Sequence, residues 1–157
     1  SDDDGDVASP GSEDDVICVG AIDTDGSIWS NSSVGSNGLQ IFPFRPPRSD
    51  PDMKPELVAP GEKLAILHAQ IDGANSLYAW GSGTSGATVW VSGAIAHLLE
   101  HRPDLAHNGS SGGTRDTVNN VKEWVQNSVI QQDGQTEHDD YYGYGRLKVD
   151  ALIATAG

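Results

Sequence analysis

Ser85 stands among glycines in the segment Gly83–Ala87, which opens the most regular helical pattern of the chain. The N–H groups in the first turn of a helix have no partners within the helix, and the helix dipole favours negative charge at that end. An oxyanion that forms beside Ser85 would therefore be stabilised by the backbone N–H of the serine itself. Glycines at 81, 83 and 86 leave room for a substrate backbone to approach. The segment thus predicts a nucleophilic serine.

Two other motifs match the same segment. Gly81–Gly86 fits the dinucleotide-binding pattern G-x-G-x-x-G, and Asp104 lies near the spacing of its ribose-binding acid. That motif follows the first strand of a βαβ unit, whereas the residues before Asp104 look like a helix end. The nucleophile elbow of α/β-hydrolases, G-x-S-x-G, also fits, except that Ala87 replaces its last glycine. Asp104 or Asp116, followed by His138, would complete its order Ser, Asp, His.

The chain has five histidines, and none is suitably placed to activate Ser85. His97 and His101 lie on the same helix as Ser85, and the rise per residue puts His97 about 18 Å along the axis, beyond hydrogen-bond reach. The remaining three histidines lie in turns or loops without motif context, which predicts surface positions; they are His68, His107 and His138.

Strands of an α/β fold surround the serine helix. The uncharged run Val16–Ile22 predicts a strand buried on both faces of a parallel sheet. Glu56–Ala59 predicts a second short strand that ends at a Pro-Gly turn. Leu64–Leu67 and Leu77–Trp80 predict a hairpin around a turn at Asp72-Gly73.

Three helices are predicted. The first begins near Ser85 and ends at Arg102-Pro103, because the residue before a proline disfavours the helical conformation. Its apolar positions follow the i, i+3, i+4, i+7 spacing and are Val91, Ala94, Ile95, Leu98 and Leu99. A second helix is predicted at about Thr114 to Ile130, with Val118, Val121 and Val125 on one stripe, and a third at about Arg146 to Thr155.

The charge balance excludes one class of partner. The chain carries 23 acidic and 9 basic residues among 157, a net charge of −14, so it lacks the clustered Lys and Arg that nucleic acids need. The excess of Asp over Lys predicts adaptation to high salt, with an ordinary acidic secreted protein as the alternative. The single Cys18 has apolar neighbours, which predicts an inert thiol rather than a reactive one. No apolar run approaches membrane-spanning length.

Four segments, in order and at the right spacing, resemble the subtilase family of serine proteases. Gly83–Ala94 resembles G-T-S-x-A-x-P-x-V-x-G, and Lys54–Gly61 resembles K-P-D-[VI]-x-A-P-G. Val16–Asp23 is similar to V-I-x-V-G-A-x-D, and Ser30–Gly35 is similar to the S-x-x-S-x-x-G turn that follows it in the family. Tyr142–Leu147 is similar to Y-G-x-G-x-[IVL].

Some positions depart from the family pattern. Val89 stands where the family has proline, Trp90 where it often has histidine, and Ser82 where many members have asparagine. Residues 42–52 look like an insertion.

The resemblance implies an α/β fold in which residues 1–157 form the C-terminal portion of one catalytic domain, with 1–15 as an acidic loop or frayed end. The fold would be the C-terminal part of a subtilisin-like doubly wound, mainly parallel sheet with flanking helices. The activity implied is peptide-bond hydrolysis with Ser85 as nucleophile. Ser82, Gly83 and Thr84 are implied to contact the substrate.

The family's D-[ST]-G, H-G-T and A-G-N motifs are absent from this chain. The resemblance therefore assigns the catalytic Asp and His, and the asparagine of the oxyanion site, to an N-terminal half outside it. We expect the isolated chain to be inactive and to bind that half or a second copy, besides a peptide or protein substrate. The alternative is a non-catalytic fragment or pseudoprotease that binds peptide or a partner chain. The family implies no cofactor for the chemistry, a structural calcium that no residue here identifies, and an extracellular location.

Overall fold

The computed structural model describes residues 7–38, 47–67, 78–105 and 114–157, which form a mixed α/β fold. The strands within these ranges are β1 (Val19–Ile22), β2 (Leu57–Pro60), β3 (Leu64–Leu67), β4 (Tyr78–Gly81), β5 (Val129–Ile130) and β6 (Arg146–Leu147). The helices are α1 (Thr84–His101), α2 (Arg115–Asn127) and α3 (Val149–Ala156), with one 3-10 turn at Pro103–Leu105. No helix in these ranges is both long and apolar enough to cross a membrane.

The main sheet has the order β1-β2-β6-β5. Strands β1, β2 and β6 run parallel, with Val19 opposite Leu57 and Val58 opposite Arg146, while β5 is antiparallel to β6. All four residues of β1 and the first three of β2 are buried, as the uncharged sequence of a parallel strand requires. The predicted α/β class with a mainly parallel sheet is therefore confirmed.

Helix α1 packs on β1 and β2, and the predicted apolar stripe forms the contact. Its buried residues are Ala87, Val91, Ala94 and Leu98, and the core is completed by Val125 of α2 and by Leu152 and Ala156 of α3. On α2 the predicted stripe is only partly covered, because Val125 is buried whereas Val118 is exposed. The predicted hairpin is present, with Leu64 opposite Gly81 and Leu67 opposite Tyr78. Its turn at Asp72-Gly73 lies outside the described residues, as do residues 1–6 of the acidic segment.

Predicted strands β2 and β4 are shifted by one residue, and three other predicted boundaries were wrong by three residues. β1 begins at Val19 instead of Val16, because the Cys18 N–H donates to the Glu56 carboxylate (2.7 Å) rather than to a strand. The second helix ends at Asn127, because Val129–Ile130 form strand β5 and pair with β6. The third helix begins at Val149, because the residues predicted as its first turn form β6.

A buried cluster of charges ties β2 to its neighbours. Glu56 Oε1 accepts a hydrogen bond from Lys54 Nζ at 2.6 Å and lies 3.2 Å from Lys122 Nζ on α2. Both lysine side chains and the glutamate are at most 1% exposed. Lys122 also pairs with Asp52 at 2.7 Å. Burial raises the pKa of Glu56 above its ordinary value, and the hydrogen bond from Lys54 opposes that rise.

Cys18 lies beside this cluster. Burial, with the nearby charge of Glu56, raises the pKa of the Cys18 thiol to about 11. A thiol with that pKa stays protonated near neutral pH and is a poor nucleophile, in agreement with the inert cysteine predicted from the sequence.

Replacing the central carboxylate tests how far the fold depends on this cluster. We expect Glu56→Gln to lower the free energy of unfolding by roughly 3–5 kcal/mol, because two buried ammonium groups lose their shared counter-charge. The matched control is Glu62→Gln, which removes a partner of the exposed Lys63 and should change stability by less than about 1 kcal/mol. Urea unfolding curves measure both, and equal effects of the two changes would contradict the prediction.

Candidate active site

Ser85 is exposed in the first turn of α1, at the end where the helix meets the sheet edge formed by the carboxyl ends of β1 and β2. Gly83 is the N-cap residue, its backbone is extended, and no side chain caps the helix. In the part of the chain that the structure describes, the Ser85 hydroxyl has no hydrogen-bond partner. The uncapped helix start leaves its first N–H groups directed toward the space around this hydroxyl.

The turn after β2 holds this helix start in place. Gly61 N–H donates to Ile22 O at the end of β1 (3.0 Å), and Gly61 O accepts from Gly83 N–H (2.7 Å). A Cβ at Gly61 would lie 2.6 Å from Ala21 Cβ and 2.9 Å from Gly83 O. Only glycine allows this approach, so Gly61 fixes the distance between the parallel strands and the start of α1. In α/β sheets, ligands bind outside the carboxyl ends of the strands, which is where Ser85 lies.

The three residues predicted to contact substrate have different surroundings. Ser82 Oγ accepts a hydrogen bond from Lys63 N–H at 3.0 Å, and Gly83 is held by Gly61. Thr84, the residue before Ser85, lines an open cleft of about 220 Å³. Small and apolar residues form most of its wall: Val7, Ala8, Gly11, Cys18, Val19, Gly20 and Ser33. Of the three, only Thr84 lines this cleft.

The histidines that the structure describes are engaged away from Ser85. His97 Nδ1 lies 3.3 Å from Glu100 Oε2, and His101 Nδ1 lies 3.0 Å from the backbone oxygen of His97. His138 Nε2 lies 2.9 Å from Pro55 O. His68 and His107 fall outside the described residues.

The nucleophile-elbow alternative needs an acid and His138 beside the serine, and the structure does not bring them together. Asp104 pairs with Arg102 at 2.9 Å, and the hydrogen bond from that guanidinium holds the pKa of Asp104 below its ordinary value. Asp116 lies in the first turn of α2 and His138 is bonded to Pro55. Ser85, the two candidate aspartates and His138 therefore do not form the triad that a nucleophile elbow requires.

The dinucleotide alternative also fails on topology. β4 does lead into α1 through Gly81–Gly86, but among the described strands β4 pairs only with β3, in an antiparallel ribbon. A G-x-G-x-x-G loop that binds a pyrophosphate belongs to a parallel βαβ unit. Within the described ranges, no group of three or more His, Cys, Asp or Glu side chains is arranged to hold a metal ion.

Sequence reasoning missed the role of the turn at residues 61–63. The Pro60-Gly61 pair signals a turn, and a glycine at the end of a parallel strand is a signal for close approach of another backbone. Lys63 gave no signal, although its φ of 52° makes it the one non-glycine residue with positive φ in the described chain.

Known proteins share this architecture and sequence. A sequence model of the subtilase family matches residues 1–145. The serine protease AprX of Bacillus subtilis (strain 168) is 29% identical, over 94% of this chain and 31% of its own length. Fervidolysin from Fervidobacterium pennivorans, a keratinolytic enzyme related to subtilisin, superposes with a TM-score of 0.66 at 21% identity, covering 93% of this chain and 20% of its own.

The CspB protease of Clostridium perfringens has a TM-score of 0.66 at 23% identity, covering 95% of this chain and 28% of its own. These two structures share the mixed α/β fold of subtilisin-like proteases. The chain thus spans less than a third of the length of each relative named here. Because the family model covers residues 1–145 of the 157, this chain belongs to the subtilase family, a family of serine proteases.

Proposed function

We propose that residues 1–157 are the C-terminal portion of one subtilase catalytic domain, and that the full-length protein hydrolyses peptide bonds with Ser85 as nucleophile. The observation that supports this most directly is the exposed Ser85 at the uncapped start of α1, held at the carboxyl ends of two parallel strands. Thr84, which lines the open cleft, contacts the substrate together with Gly83.

In the proposed reaction, Ser85 Oγ attacks the carbonyl carbon of a peptide bond. A histidine of the N-terminal half accepts the hydroxyl proton and later gives it to the leaving amine, while an aspartate orients that histidine. The Ser85 N–H and an asparagine of the same half stabilise the negative charge on the carbonyl oxygen. Without the histidine, the serine hydroxyl is a weak nucleophile, so this chain alone is inactive.

The surface of α1 supports a partner that covers it. From Thr84 to Leu99 the helix has no Asp, Glu, Lys or Arg, although charged residues make up 20% of the chain. Val89 and Trp90, which are outside the buried stripe, are 70% and 54% exposed. A long uncharged stretch with exposed apolar side chains is typical of a helix that another part of the protein covers. The short span of this chain relative to its relatives supports the N-terminal half of the same domain as the covering element.

The edge of the main sheet supports the same partner. β1 is the edge strand in the described sheet, yet it is buried like a central strand. Its outer side is only partly occupied by this chain, where Ala21 O accepts from Trp29 N–H (2.9 Å) and Ala21 N–H donates to Ser32 Oγ (3.0 Å). This loop covers Ala21 and Ile22, whereas Val19 and Gly20 line the open cleft, which leaves room for a further strand beside Val19.

The remaining expectations extend the same proposal. The hydrolysis needs no cofactor, the enzyme acts outside the cell, and its acidic surface is adapted to high salt. The second candidate is a pseudoprotease that binds peptide without cleaving it. The two differ in the coding sequence upstream of Ser1, where D-[ST]-G and H-G-T motifs indicate a protease and their absence indicates a pseudoprotease.

Ser85→Ala in the full-length enzyme tests the nucleophile. We expect kcat/KM for a peptide substrate to fall at least about a thousand-fold with an unchanged melting temperature, because the substitution removes one exposed hydroxyl. Ser49→Ala is the matched control, since Ser49 is also an exposed serine but lies in the loop that precedes β2. A Ser85→Ala enzyme that keeps more than a small residual rate would rule out this nucleophile.

The isolated chain tests the division into halves. We expect residues 1–157 alone to be poorly stable or complexed, because burial of exposed apolar surface contributes roughly 25 cal/mol per Å² before the unfavourable entropy of association. We also expect no labelling of Ser85 by a fluorophosphonate. Size-exclusion chromatography with light scattering and a labelling assay measure both. A stable monomer labelled stoichiometrically at Ser85 would show that a base exists within this chain.

The net charge of −14 leads to a prediction about salt. Salt screens repulsion between like charges, so the melting temperature should rise by about 5 °C or more between low and molar KCl. Thermal melts across that range measure the effect. A melting temperature that stays flat or falls would count against adaptation to high salt.

A further inference from the structure

We propose that Ser82 is a positioning residue for Ser85, and that its hydroxyl, by accepting the hydrogen bond of Lys63 N–H, fixes where α1 begins. The inference rests on the proposed function, because it assigns Ser82 a part in the reaction of Ser85. It differs from the family-based expectation, in which Ser82 contacts the substrate.

Two adjacent hydrogen bonds join the turn after β2 to the residues just before the nucleophile. Lys63 N–H donates to Ser82 Oγ at 3.0 Å, and Gly83 N–H donates to Gly61 O at 2.7 Å. No side chain caps α1, so the entry into this helix has none of the usual N-cap hydrogen bonds. The Ser82 hydroxyl, three residues before Ser85, is therefore the side-chain group that anchors the helix start.

The donor on Lys63 is held in an unusual conformation. Its φ of 52° lies in the left-handed region, which residues with a side chain rarely adopt. Such conformations persist where the surroundings determine them, and they occur often at active sites. Lys63 Nζ pairs with Asp23 Oδ2 at 3.0 Å and with Glu62 Oε1 at 3.2 Å. Asp23 directly follows β1, so its ion pair with Lys63 attaches the turn to the end of that strand.

Leu64 adds an apolar contact to the same support. A Cβ at Gly86 would lie 2.5 Å from Leu64 Cδ1, so the first turn of α1 lies directly against this side chain. Residues 61–64 thus contact Ser82 and Gly83 before Ser85 and Gly86 after it. A shift of the helix start changes the direction from which Ser85 Oγ attacks, and rates depend steeply on that geometry.

The experiment compares Ser82→Ala and Ser82→Thr in the full-length enzyme, with Ser49→Ala as the matched control. In Ser82→Ala we expect kcat to fall about 3- to 10-fold while KM stays within about two-fold, because a neutral hydrogen bond that orients the nucleophile is lost. Ser82→Thr keeps the hydroxyl and should restore kcat. Fluorophosphonate titration should count the same number of active sites per chain in every variant, and Ser49→Ala should match the parent enzyme.

Three results would overturn the inference. A raised KM with unchanged kcat would assign Ser82 to substrate contact. Fewer titratable sites together with a lower melting temperature would show a purely structural role. Unchanged kinetics would show that the hydroxyl has no role. The same assay on the parent enzyme and on Ser85→Ala separates the two proposals: hydrolysis that is absent in the parent, or retained without Ser85, overturns the proposed function and this inference with it.

Discussion

The carboxylate of Glu56 is shared by parts of the chain that are far apart in sequence. It accepts hydrogen bonds from the Cys18 N–H before β1 and from Lys54 Nζ before β2. It also forms an ion pair with Lys122 on α2. A buried carboxylate without partners is strongly disfavoured, so these groups have to stay together once the core is dry. These contacts fix the N-terminal end of β2 against its neighbours. β2 is the middle one of the three parallel strands.

The other end of β2 is organised differently. There the chain turns at Gly61, and the close approach of Ala21 and Gly83 depends on the missing side chain. The two ends of this four-residue strand are therefore fixed by different interactions. Charge and burial determine where the strand begins, and backbone proximity determines where α1 begins. Because Ser85 belongs to the open end, its hydroxyl is exposed while the ionic end is sealed.

Local patterns predicted the elements that depend on local interactions. The apolar spacing of α1 and the pairing of β3 with β4, whose prediction at Leu77–Trp80 was one residue early, were predictable because neighbours in sequence determine them. The start of β1 was not predictable, because the Glu56 side chain competes with the sheet for the N–H of Cys18 from 38 residues away. Ser85 was singled out as the candidate nucleophile from its glycine-rich helix start. The hydrogen bond between Lys63 and Ser82 was not predictable, because no sequence pattern indicates that a lysine has a positive φ.

Cys18 is the only cysteine in the chain, and it lies where the buried carboxylate holds the beginning of β1. Its high thiol pKa slows alkylation, although the half-buried side chain lines the cleft beside Thr84. Separation of the strand from Glu56 would return the thiol to water and lower that pKa toward the value of a free cysteine. The chain therefore contains its own probe of this corner, since a maleimide should modify Cys18 faster whenever the strand has separated from Glu56.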